Sequence, residues 1–229
     1  KATAIGHWIW KTMQVEPGRL ASVAYGSEVS GVGNLDDYAF SAEAFLAIAA
    51  VVDYAHPGQS PEWVARAQRL LETVRTVFHD PDEPGYFFTA GADPHLVHRK
   101  KDWFDGSIPS AMSSLVHAFS AMEMLTGHAG YAEETERLRP AWGGIIRTAP
   151  SAAGHALAGF VQQATGVAHL KYRRGAPLES LRQRLVERPW RPLYPSPDTD
   201  GTLSAAFQLC VGTQCLEPTD SVQTVAGAL

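Results

Sequence analysis

Two cysteines, Cys210 and Cys215, are all that this chain of 229 residues contains. That is too few for a scaffold built on disulfides, and there is no Cys-x-x-Cys pair, so dithiol chemistry of that motif is excluded for these residues. Two reduced thiols are expected; their spacing suits a hairpin and leaves a cross-strand disulfide open, but offers too few ligands for zinc. Long apolar runs are also missing: nothing approaches the roughly 18 consecutive residues of a membrane helix. Basic charge is short, with 19 Lys and Arg against 24 Asp and Glu and a net charge of −5. Nothing in that balance draws the chain to nucleic acid or to an anionic membrane. The basic runs at 98–101 and 171–174 are brief and read as solvated surface. Residues 1–10 carry one Lys and too little apolar length for a signal peptide; a cytoplasmic chain is the expectation that so few cysteines leave. Residues 1–10 lack an initiator Met and begin inside a helix-like pattern, which reads as an internal fragment or a processed product.

What is present is helical periodicity. Tyr38, Ala42, Phe45, Ala49 and Val52 repeat at spacings of four and three. So do Trp63, Ala67, Leu70, Val74 and Val77; Ile108, Met112, Leu115, Phe119 and Met122; and Tyr131, Thr135, Leu138, Trp142 and Ile145. That spacing lays each set on one helical face. Ser60-Pro61 reads as a helix start, Gly127 as a helix stop, and Pro140 predicts a kink. A fifth helix is expected over 151–165, with Leu157, Phe160, Val161 and Ala164 inward, and the tail of another up to about Gln14. The first and third are rich in Ala, Ser and Met; the second and fourth carry Arg, Glu and Gln on one side. An inner layer and an outer layer follow.

Between the second and third helices, 85–90 and 95–98 look like strands around a Gly-Ala-Asp-Pro turn. After about Val167 the texture changes. Residues 167–172 read as a strand, 178–186 as a short helix and 189–195 as an irregular extended stretch. Residues 206–210 and 215–216 read as a final hairpin, and 220–229 as a helix. The expected fold is therefore mainly α, with hairpins of helices over 1–166 and a small C-terminal α/β appendage over 167–229.

Two segments carry the candidate chemistry. Asn34 to Phe40 holds Asp36, Asp37 and Tyr38; Lys101 to Ser110 holds Asp102, Trp103, Phe104 and Asp105. Each opens an inner helix. Carboxylates accept from sugar hydroxyls and aromatic faces stack on sugar rings, so both suit a polyhydroxylated ligand. Both also suit plain helix capping. The helix dipole lowers an acid's pKa, which favours a base or an acceptor over a general acid. Asp37 and Asp105 are the expected catalytic carboxylates, with Asp36, Tyr38, Asp102, Trp103, Phe104 and His117 as ligand contacts. Adjacent acids point apart, and Asp37, four before Ser41, is the one expected to face a pocket. His117 on an inner helix suits a base or a structural hydrogen bond. His155, His95 and His98 are further histidines near the site, but the spacing of the last two on a strand sends them to opposite faces. No metal and no cofactor are expected.

These motifs occur in a familiar order: Leu-Asp-Asp-Tyr-Ala-Phe, Gly-Tyr-Phe-Phe-Thr, Lys-Asp-Trp-Phe-Asp-Gly-Ser-Ile-Pro-Ser, Arg147-Thr148-Ala149-Pro150-Ser151, then Leu209-Cys210 with Cys215. The set resembles the C-terminal part of the thioredoxin-domain-containing spermatogenesis-associated protein 20 family. The resemblance implies a partial (α/α) toroid of the six-hairpin glycosidase type, similar to N-acylglucosamine 2-epimerases, joined in the parent to a thioredoxin-like domain. Asp36 stands where that family has Glu, and Ala111-Met112 where it has Gly-Asn. The second change removes an amide from a polar pocket. The resemblance implies a carbohydrate-binding or carbohydrate-processing module with a sugar ligand, degenerate if those departures cost activity. The alternative is a non-catalytic helical scaffold for the thioredoxin-like domain. Half a toroid leaves apolar edges, so the missing half or a second copy is the expected partner.

Overall fold

The computed structural model describes residues 1–91, 96–186 and 192–229. It is mainly helical. Helix α1 (Ala2–Trp8) runs on through a π turn over Ile9–Met13. Two short antiparallel hairpins follow, β1–β2 (Gln14–Glu16, Arg19–Leu20) and β3–β4 (Val23–Tyr25, Glu28–Ser30), which the periodicity did not suggest. Then come α2 (Leu35–Val52) and α3 (Ser60–Thr73), the latter ending in a π turn over Val74–Phe78. Helices α4 (Ala111–Thr126) and α5 (Ala129–Thr148) form a second hairpin, and α6 (Gly154–Thr165) follows a 3-10 turn.

The layering matches the composition. Helix α2 buries Tyr38, Ala39, Ala42, Phe45, Leu46 and Ile48, which is most of its circumference. In α4 nearly every residue from Ala111 to Met122 is buried. In α3 and α5 burial follows one stripe, Trp63, Ala67 and Leu70 in the first and Tyr131, Thr135, Leu138 and Trp142 in the second. Helix α2 packs on α3 and on α4, and α4 packs on α5 and α6. Small residues make those approaches close. At Gly159 of α6 a Cβ would fall 2.8 Å from Val116 Cγ1 and 3.0 Å from His117 Cδ2, so only glycine fits.

The C-terminal part of the chain forms a four-stranded sheet, in the order β6–β5–β7–β8. Strand β5 (Ala168–Tyr172) pairs in parallel with β6 (Leu193–Pro197), the crossover carrying α7 (Leu178–Leu185). On its other side β5 is antiparallel to β7 (Phe207–Val211), which turns into β8 (Gln214–Cys215). Helix α8 (Val222–Gly227) ends the chain. Strand alternation divides the sheet between two cores. Leu170, Tyr172, Phe207 and Leu209 pack on Leu181 of α7 and Val225 of α8, while Tyr194 joins the core of the helical layer.

Several expectations need correction. The third helix starts at Ala111, and Ile108 stands 64% exposed outside it. Pro109 disfavours helical backbone at Ile108, and Ser110 supplies the N-cap, its Oγ accepting from Ser113 N at 3.2 Å. In α6 the inward residues are Ala156, Gly159 and Phe160; Leu157, Val161 and Ala164 face out. The close approach at Gly159 sets that rotation. Residues 85–90 and 96–98 form no strand pair among the described residues, though Phe88 N donates to Lys100 O at 2.8 Å and Tyr86 bridges His79. The turn proposed for that hairpin and His95 lie largely outside the described residues, as do residues 189–191 of the extended stretch, whose remainder enters the regular strand β6 at Leu193. The basic run at 98–101 is not all solvated: Lys101 is nearly buried, 2.7 Å from Asp80, and Arg99 lies 3.9 Å over the Phe87 ring. Cys210 and Cys215 are joined by a disulfide, not reduced, because they stand directly opposite in the β7–β8 ladder. No helix among the described residues is long and apolar enough to cross a membrane.

Candidate functional site

The two acidic segments do approach each other. Asp36 is partly buried, and its carboxyl is raised above its usual range first by that burial, then by repulsion from Asp102 and Asp37, with Lys100 opposing. Lys100 lies 3.8 Å from Asp102. Among the described residues Asp36 accepts no hydrogen bond. Asp37 acts otherwise: its Oδ2 accepts from Asn34 N at 2.8 Å, the return arm of a capping box. Burial raises its carboxyl and that hydrogen bond only partly offsets it. Tyr38 is fully buried, its hydroxyl accepting from Leu20 N at 2.9 Å, so its ring is core and offers no stacking face. Trp103 packs edge-on against Trp142 with centroids 5.6 Å apart. Phe104 is 61% exposed.

Asp105 is the busiest of the expected acids. Its Oδ1 accepts from Ser110 N at 2.9 Å and Ser113 Oγ at 2.6 Å, and its Oδ2 from His155 N at 2.8 Å and Ala156 N at 3.4 Å. Burial acts to raise its pKa, but these donors together hold it below the usual carboxylate range. One carboxylate thus clamps the first turns of α4 and α6. Those helices carry His117 and His155.

The two histidines meet a third group. His155 Nε2 lies 3.0 Å from Glu43 Oε1, joining α6 to α2. The His117 and His155 rings stack with centroids 4.1 Å apart, and His117 Nε2 lies 2.9 Å from the His155 carbonyl oxygen. That carbonyl can only accept, so His117 carries its proton on Nε2. The Glu43 hydrogen bond raises the His155 pKa, against burial. Burial alone would raise Glu43, but the His155 ring leads the contacts that bring it below its usual range. The three residues line a cavity of about 410 Å³, with Leu46, Gln162 and Tyr194 on its walls. Burial, with Glu43 nearby, raises the Tyr194 hydroxyl. One polar atom here, Gln162 Nε2, has no hydrogen-bond partner among the described residues, and the buried Ser114 beside Glu43 helps hold its carboxyl below the usual range.

One ligand atom from each of Glu43, His117 and His155 lies within 4.8 Å of the others, a spacing a metal ion could bridge. The hydrogen bonds argue for other chemistry. His117 Nε2 is committed to the His155 carbonyl oxygen and His155 Nε2 to Glu43, so both are engaged in hydrogen bonds. The set can hold and move a proton: an imidazole with its acidity tuned by a carboxylate, open to a cavity.

Of the expected residues, the structure brings His117 to this cavity, places Asp105 behind it as an anchor, and leaves Asp36, Asp37, Asp102, Trp103 and Phe104 off its walls. Glu43 was missed, and His155 was noted without a role. A signal for both was present. Between Asp37 and Asp53 the inner helix α2 has one charged residue, Glu43; α6 has one titratable residue, His155; and α4 has His117 alone before Glu123.

Comparison with known proteins gives relatives of one kind. No family model matches the chain. It is 32% identical over 149 residues to spermatogenesis-associated protein 20 of Mus musculus, a match covering 60% of this chain and 18% of that protein. The Rattus norvegicus protein of the same name is 31% identical over 147 residues. The Homo sapiens protein is 32% identical over 121 residues, covering 52% of this chain and 15% of that protein. The chain thus spans less than a fifth of the length of these relatives.

Proposed function

We propose, from the premise that this chain is a relative of the spermatogenesis-associated protein 20 family, that it is a carbohydrate-binding or carbohydrate-processing module. Its site is the cavity of Glu43, His117 and His155. One observation carries the reading: the Glu43–His155 pair at 3.0 Å, open to a cavity of about 410 Å³. That volume suits a small sugar. Leu46, Ala47 and Ala50 offer apolar surface to the carbon face of a sugar ring. Glu43 and Gln162 offer acceptor and donor capacity to its hydroxyls.

Proton transfer follows from the same geometry. With Glu43 ionised, His155 holds a proton that it can give to a leaving or carbonyl oxygen; once neutral, it can take one from carbon or hydroxyl. The stacked His117 keeps the ring plane fixed. Asp105 acts through the backbone of His155 and is a positioning residue. In the same reading, residues 1–166 are part of an (α/α) ring and residues 167–229 its appendage. The rest of the ring and a thioredoxin-like domain are the partners expected in the parent.

A scaffold without chemistry is the second reading, and it has its own support: Asp37 and Asp105 are spent on helix caps. Monosaccharide titration followed by calorimetry or by the His155 imidazole resonances separates the two. The sugar reading expects saturable binding, weakened at least tenfold by Glu43→Gln and by His155→Ala, and little changed by Asp37→Asn. Absence of binding to any neutral monosaccharide, or binding indifferent to Glu43→Gln, leaves the scaffold.

A further inference from the structure

Cys210 and Cys215 face each other between two rungs of the β7–β8 hairpin. Leu216 N donates to Leu209 O at 2.8 Å on one side, and Val211 pairs with Gln214 on the other. A non-hydrogen-bonded pair brings its side chains closest, so here the sulfurs meet and are bonded. Strand β8 is only two residues long and lies at the sheet edge, with Cys215 exposed.

The turn between the cysteines reaches the site. Gly212 N donates to Val167 O at 3.1 Å, and a Cβ on Gly166 would sit 2.7 Å from Gly212 N. Gly166, just past the end of α6, lines the Glu43–His155 cavity and also the cavity of about 600 Å³ beside it. Gly212 and Thr213 line that second cavity.

We propose that the Cys210–Cys215 disulfide is an exchange site for a dithiol reductant, and that its redox state sets the order of the turn that lines the second cavity and packs on Gly166, a residue shared by both. The reductant's thiolate attacks the exposed Cys215 Sγ, forming a mixed disulfide. Cys210 leaves as thiolate and takes up a proton. The second thiol of the reductant then displaces Cys215 and closes its own disulfide. Two electrons and two protons pass from the dithiol to the pair, and an oxidised dithiol reverses the step. Without the bond, a two-residue edge strand keeps only its ladder hydrogen bonds, and the Gly212–Gly166 contact loses its support.

The test uses the full chain purified without reductant. Iodoacetamide should label no thiol before dithiothreitol treatment and two after it. On reduction, amide exchange at Gly166, Val167 and residues 207–216 should rise at least about tenfold while that of α3 stays constant. The Cys210→Ser, Cys215→Ser double variant should match the reduced chain and ignore dithiothreitol. If that variant fails to fold, the reduced wild-type chain alone decides. Free thiols at the outset, a disulfide that survives dithiothreitol in the folded chain, or unchanged exchange at Gly166 and Val167 after reduction would each overturn the proposal. So would a parallel rise in α3, which would make the bond a general staple.

Discussion

The hydroxyl of Tyr172 donates to Asp53 Oδ2 at 2.7 Å, tying the central strand of the C-terminal sheet to the end of α2. Asp53 is fully buried, and its two oxygens also accept from Gln59 N, Ser60 N and Ser60 Oγ. Gly58 N in turn donates to Tyr172 Oη at 2.7 Å. One carboxylate thus organises the α2–α3 turn and docks the sheet against it. Asp53→Ala strands several buried donors and should cost about 2–4 kcal/mol; Tyr172→Phe should cost about 1–2 kcal/mol. Urea unfolding of the two variants checks both, and equal small losses would remove the docking role.

Asp36 should be a liability to the fold. Its raised pKa means the folded chain disfavours the ionised carboxyl, so the penalty appears as pH rises through the unfolded value and is complete above the folded one. Asp36→Asn should therefore stabilise the chain at neutral pH, by roughly 0.5–1 kcal/mol, and gain nothing in acid below both values. Melting temperatures across that range give the answer.

The Glu43–His155 pair has the opposite sign at both ends. His155 has a raised folded pKa, so its stabilising share is present below the unfolded value near 6.5 and is lost as pH rises through the folded value. Glu43 has a lowered one, so its share is present above the unfolded value near 4.5 and fades as pH falls through the folded value. The pair contributes most between those limits. Glu43→Gln should lower the His155 pKa, read directly by NMR titration of its imidazole. An unmoved titration would break the assignment.

Asp105→Ala should loosen two helix starts together. Losing four acceptor contacts on buried donors should cost about 2–4 kcal/mol. Amide exchange should rise at Ser110 and Ser113 and equally at His155 and Ala156. A rise confined to α4 would reduce Asp105 to an ordinary cap.

The helical layer was legible because its apolar spacing is regular and its inner and outer helices differ in composition. Helix rotation was less so. In α6, Leu157 and Val161 are better apolar residues than Ala156 and Gly159, yet they face out, because the decisive quantity is how near two backbones can come. Asp105 was legible as important and not as a clamp, since its partners Ser110 and His155 are far apart in sequence. The disulfide was left open because thiol pairing depends on strand register, which spacing alone does not fix. Glu43 is harder to read than the clustered acids because it stands alone, and its signal is that solitude in an apolar helix.

Gly159 carries a last consequence. It touches no ligand-facing atom of Glu43 and would be passed over in any inventory of reactive groups. Yet a single methyl there meets Val116 and the His117 ring at once. In a saturation screen for function, this position should tolerate nothing, while the exposed Leu157 two residues earlier tolerates nearly everything. The most unforgiving letter in the helix would then be the one with no side chain, because the empty space is what lets two imidazoles share a stack.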